Sequence, residues 1–191
     1  MAGLDRAWQI VRADAFAWML VTTLFLFVVV ATGGLGFLLY TNLLRAAGRA
    51  IDNGAPPEIG DLFRFDGVSD EFVTLLIKLI ADSFGLSLCL IGVLVTHVLT
   101  FWLPHLAIEG QYDPVAAVRA SYAHATIDPG EIFSFNAKLS LLNTFGLLCC
   151  CVGLLITLPI TLVAMELHWR EQREAVYAAA DAAGVPRIGE R

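Results

Sequence analysis

Lys78 and Asp82 are four residues apart, which puts their side chains on one face of a helix, and His97 follows in the same apolar stretch. Ionisable groups inside an apolar segment mark a functional site by default, so this trio reads as a proton or cation relay. The structural alternative is a neutralised pair that fixes helix register, with Lys78 snorkelling towards water. His105, Glu166 and His168 widen the choice to a metal or proton site, but none has the tight spacing of a metal-binding helix. Glu166 and His168, two apart, point to different faces. Cys89 stands alone and Cys149, Cys150 and Cys151 are adjacent, a poor disulfide framework, so they read as small apolar filler. No glycine-rich phosphate loop, Ser-His-Asp set or paired-cysteine motif occurs. The residues point to no cofactor, no metal and no catalysis.

The segments that must position these groups are apolar. Of 191 residues, 58% are hydrophobic and 16% charged, against about 25% charged in a soluble domain; the mean hydropathy is +0.72. No Asp, Glu, Lys or Arg occurs from Ala15 to Leu44, from Ser83 to Ile108, or from Leu139 to Met165. Each gap exceeds the ~20 residues that cross a bilayer core, where one charge costs about 3 kcal/mol. A signal peptide would have a shorter apolar core, about 7–15 residues. The net charge of −6 sits largely between Asp52 and Glu71. That excludes nucleic acid, and an anionic-lipid clamp, as the partner of this segment.

The chain also repeats itself. Phe84 to Thr100 matches Phe145 to Thr161 at eight of seventeen positions, among them glycine, cysteine and threonine. Upstream, Gly60-Asp61-Leu62-Phe63 echoes Gly130-Glu131-Ile132-Phe133. Gly92, Thr96 and Thr100 form one helical stripe, and Gly153, Thr157 and Thr161 the equivalent one. Small residues at this spacing let helices approach closely, so each stripe is expected to pack against the other or against a further helix.

Three long apolar stretches result, about 14–51, 72–109 and 133–169. As single helices of 37 or 38 residues they would be roughly 55 Å long, beyond the ~30 Å bilayer core. Each is therefore either a helical hairpin broken at glycine (Gly33–Gly36, Gly92, Gly153) or one tilted span with surface-lying ends. The hairpin reading gathers the arginines on one side, as the positive-inside tendency prefers. Trp8, Trp18, Trp102 and Trp169 fall near stretch ends, where interfacial tryptophans are expected. Asp113-Pro114 starts a short interfacial helix over about 113–126, with Val115, Val118 and Tyr122 on one side. Pro159 should kink the last stretch. The expected organisation is an all-α polytopic transmembrane bundle over 1–169 and a polar cytoplasmic helix and tail over 170–191.

Gly60-Asp61-Leu62-Phe63 after a proline pair, Ala117 and Ser121 in the Pro114–Ser121 helix, and Gly153 with Thr157-x-Pro159 carry a resemblance over Pro56 to Trp169. The chain resembles a family of uncharacterised bacterial polytopic membrane domains, related to the membrane domain of some glycerophosphodiester phosphodiesterases. Where that family has Pro-Gly this chain has Ile91-Gly92. Where it often has a tyrosine at the end of the last helix, this chain has Glu166 and His168. The phosphodiesterases' catalytic part has no counterpart in these residues, so the resemblance implies a multi-helix membrane fold in a bacterial inner membrane and no activity.

The expected function is thus a non-catalytic membrane scaffold or accessory subunit, embedded in lipid and packed against other membrane subunits or its own copies. The alternative is a small channel or transporter with Lys78, Asp82 and His97 along its path.

Overall fold

The computed structural model describes residues 2–64, 68–87, 90–148 and 152–189, and every element among them is helical. In chain order these are α1 (Ala2–Ala13), α2 (Ala15–Ala31), a 3-10 turn (Leu35–Leu39), α3 (Tyr40–Asn53), α4 (Ile59–Leu62), α5 (Val68–Ser87), α6 (Leu90–Leu99), α7 (Leu103–Glu109), α8 (Pro114–Ile127), α9 (Pro129–Leu148) and α10 (Leu154–Ala182). The all-α expectation holds. Among the described residues no single helix is both long and apolar enough to cross a membrane. The pair α1 and α2 meets those criteria only together, bent by 95°. Two compact units form: Met1–Phe65 with Ala137–Glu171, and Asp66–Asn136 with Gln172–Arg191.

In the first unit, Asp14 separates α1 from α2 by capping the latter, accepting from the Ala17 N–H at 3.2 Å. Buried Trp18, Val21, Thr22 and Phe25 form the inner face of α2. At its far end Thr32 Oγ1 donates to the Val28 carbonyl and accepts from the Gly36 N–H at 2.6 Å. Gly33 and Gly34 take positive φ, and a Cβ on Gly36 would lie 2.7 Å from the Val29 nitrogen. Only glycine turns the chain this tightly. α3 then buries Leu43, Leu44, Ala46, Ala47 and Ala50, and Gly54, at positive φ, closes it.

The part of α9 and α10 within this unit is joined through residues 149–151, outside the described set. Their backbones nearly touch. A Cβ on Gly153 would be 2.6 Å from the Gly146 carbonyl oxygen, and one on Gly146 would be 3.0 Å from the Gly153 carbonyl carbon. Thr161 Oγ1 meets Asn143 Oδ1 at 3.1 Å further along the same seam. The Gly153–Thr157–Thr161 stripe therefore packs on α9, and α10 continues through Pro159.

In the second unit α5 and α6 run antiparallel about residues 88–89, also outside the described set. Gly92 lies inside α6 rather than at the turn. α8 packs its small face inward: Ala116, Ala117, Ala120 and Ser121 are buried, and Ser121 Oγ donates to the Leu99 carbonyl at 2.8 Å. Val115 and Tyr122 face outward. Contrary to the interfacial expectation, Trp102 is a core residue, fully buried and donating its indole N–H to His124 Nδ1 at 3.2 Å. An indole N–H with a buried acceptor in reach loses nothing by leaving the surface. Trp18 and Trp169 are buried as well, and only Trp8 is exposed. The C-terminal residues close this unit: Gly184 ends α10 at positive φ, Val185 is buried, and the Ile188 N–H donates to the Gln111 carbonyl.

Candidate functional site

The antiparallel pairing of α5 and α6 brings Lys78, Asp82 and His97 together. Lys78 Nζ lies 3.2 Å from Asp82 Oδ2 and donates to Thr100 Oγ1 at 3.0 Å. His97 Nδ1 stands 3.8 Å from the same Asp82 oxygen, an ionic contact when the imidazole is protonated and too long for a direct hydrogen bond. Thr100 donates its own hydroxyl to the Thr96 carbonyl at 2.7 Å. Lys78 is buried, with its side chain 4% exposed, whereas Asp82 and His97 keep 26% and 37% of theirs. The cluster runs from a dry ammonium to a half-open imidazole, with one carboxylate oxygen shared between them.

Asp82 Oδ1 is buried and has no hydrogen-bond partner among the described residues. A buried lysine needs a counter-charge, and Asp82 supplies it. The remaining oxygen keeps its capacity to accept a hydrogen bond or a proton. The arrangement can therefore lock the register of α5 against α6 and can exchange one proton between carboxylate and imidazole. His97 also stacks edge-on against Phe101, which with Trp102, His105 and His124 forms an aromatic floor.

The other candidates fall elsewhere. Thr100 joins the cluster, whereas Gly153, Thr157 and Thr161 form the seam on α9 in the first unit. Glu166 accepts from Arg170 at 2.9 Å, and His168 faces Glu171 one turn along its own helix. Among the described residues no three His, Cys, Asp or Glu side chains converge as metal ligands. Cys89, Cys149, Cys150 and Cys151 lie outside the described residues.

A second polar group was not anticipated from the sequence. Arg170 reaches Glu166, both oxygens of Asp52, and the Gly48 carbonyl at 3.3 Å. Nearby Arg49 pairs with buried Asp61, and Asn42 donates to the Leu62 and Arg64 carbonyls. The Arg170 hydrogen bond holds the Asp52 carboxyl below the usual range. Burial pushes Asp61 up, but the hydrogen bond from Arg49, the Glu58 N–H and the charges of Arg49 and Arg64 outweigh it and hold Asp61 low. The Gly60-Asp61-Leu62-Phe63 motif was the sequence signal. Its distant partners, Arg49 and Asn42 on α3, had none.

Comparison with protein-family models, curated proteins and solved structures gives no match.

Proposed function

We propose that the chain is a non-catalytic scaffold of the bacterial inner membrane, whose folded-back helices sit in lipid and pack against other membrane subunits or further copies of itself. The observation that supports this reading best is the chemistry of its outward faces. Phe16, Phe27 and Val30 on α2, Ile80 and Phe84 on α5, and Leu141, Phe145 and Leu148 on α9 are all 58–80% exposed. An aqueous monomer rarely leaves so many large apolar side chains on three of its helices uncovered. At 17 to 20 residues, α2, α5 and α9 are about 25–30 Å long, the depth of a hydrocarbon core. Lys138, exposed on α9, can snorkel from such a helix. Several inward polar groups pair with one another, Lys78 with Asp82 and Thr100, and Arg170 with Glu166 and Asp52, as a packing role requires.

A second reading, a small channel or transporter, is favoured by the unpartnered buried oxygen of Asp82, whose other oxygen faces half-exposed His97. Asp82→Asn separates the two. In proteoliposomes carrying a pH-sensitive dye, the scaffold reading expects the same negligible proton flux for wild type and variant, with cross-linked assemblies of either recovered in mild detergent. Flux that disappears in an assembled variant would establish the transport reading. A wild-type chain that remains monomeric in the native membrane would overturn the scaffold.

A further inference from the structure

The N-terminal helix stands at 95° to α2. If α2 enters the bilayer, as proposed above and as this inference requires, α1 lies along the membrane surface. Its composition fits that position: Ala7 and Val11 are buried beneath it, while Arg6, Gln9 and Arg12 are exposed. Between α1, the start of α2 and the end of α3 there is a cleft of about 440 Å³. Arg6, Gln9 and Ile10, one helical stripe, form one wall. Asp14 and Trp18 form the second, and Ile51 with Pro56 the third.

The lining is amphipathic and charge-balanced. Arg6 is a planar donor fork suited to a phosphate. Asp14 uses one carboxylate oxygen to cap α2, and the other can accept, as can the Gln9 carbonyl. Ile10, Ile51 and Trp18 supply apolar contact. One cation for an anion, two acceptors for a donor and an apolar base together describe a zwitterion with a tail. We infer that the cleft binds the headgroup of a phosphoethanolamine lipid, with its phosphate on Arg6 and its primary ammonium on Asp14 and Gln9. A choline headgroup, which has no N–H, cannot make the second contact, and a glycerol headgroup leaves Asp14 without a cation.

The test is native mass spectrometry of the full chain in detergent, titrated with phosphatidylethanolamine, phosphatidylglycerol or phosphatidylcholine. Wild type should retain the ethanolamine lipid preferentially. Arg6→Ala should lower that retention about five-fold, the scale of one exposed charged contact. Asp14→Asn keeps a capping oxygen for α2 and should erase the preference over phosphatidylglycerol without lowering helical content by circular dichroism. Displacement by equimolar water-soluble O-phosphoethanolamine would identify the free headgroup compound as the ligand; persistence of the bound lipid would identify the membrane. Equal retention of all three lipids, unchanged in both variants, overturns the inference. Alkaline carbonate extraction of the same variants from membranes tests the bilayer reading separately: a chain that stays inserted yet shows no preference refutes the headgroup site alone.

Discussion

Gly153→Ala should be a costly methyl addition, because the space for a Cβ is taken by the backbone of a neighbouring helix. The new Cβ would stand 2.6 Å from the Gly146 carbonyl oxygen and 2.7 Å from its Cα, whereas ordinary contact begins at 3.4 Å. The obstructing atoms are backbone, so no rotamer change relieves them, and α9 and α10 must separate by about 0.8 Å at their closest point. Overpacking of this kind costs about 1–3 kcal/mol. With rigid backbone on both sides the upper half of that range applies, and the Thr161–Asn143 hydrogen bond further along the same seam is stretched as well. For a chain of this size about 2–3 kcal/mol corresponds to a fall of roughly 4–12 °C in melting temperature. The assay is thermal unfolding in mild detergent followed by circular dichroism, with Gly130→Ala as the control. There the nearest atom is the Asp128 side chain at 3.7 Å, and alanine should be neutral or stabilising by up to about 1 kcal/mol. Gly146→Ala collides first with Thr157 Oγ1, so Gly146→Ala combined with Thr157→Ala should recover part of the loss. Equal melting temperatures for Gly153→Ala and Gly130→Ala would refute the close approach of the two helices.

Three further outcomes follow from the same geometry. Asp82→Asn leaves the Lys78 ammonium buried beside Thr100 alone and should destabilise by about 2–3 kcal/mol, the lower end for a broken buried pair because Asp82 is partly open; Lys78→Met with Asp82→Leu should restore the melting temperature. Trp102→Phe removes the indole donor from His124 and should cost about 1–3 kcal/mol, read by chemical unfolding. Asp52 and Asp61 are both held low in the folded state, so their stabilisation is present above the ordinary carboxylate value near ~3.9 and is lost as pH falls through the folded value. Melting temperature should be flat between about pH 5 and 8 and drop below about pH 4, and Asp61→Asn should lessen that drop.

The helices were legible because charge-free gaps and four-residue spacings are local signals. Lys78–Asp82 is a pair within one helix, and the Thr96–Thr100 stripe lies on one face of another, so sequence spacing alone places them. That His97 completes the cluster depends on where α5 turns back, and the glycine marking that turn was misjudged: Gly92 continues α6. On α8 the spacing set Val115, Val118 and Tyr122 on one side without saying which side packs; burial follows Ala116, Ala117 and Ala120, because small side chains allow helices to approach, and leaves Val115 and Tyr122 outside. Trp102 was assigned to an interface by residue type, but the acceptor that draws it inward, His124, is 22 residues away. Asp52–Arg170, 118 residues apart, has no local trace at all.

Spin-label accessibility in lipid nanodiscs would bear most directly on the placement of these helices in a bilayer, with single cysteines replacing Phe27, Ile80 and Leu141 in a background lacking the four native ones. Labels at all three sites should relax strongly with dissolved oxygen and weakly with a water-soluble nickel chelate. Ready access of the chelate to the three positions, in a chain that remains folded, would contradict a membrane-embedded scaffold.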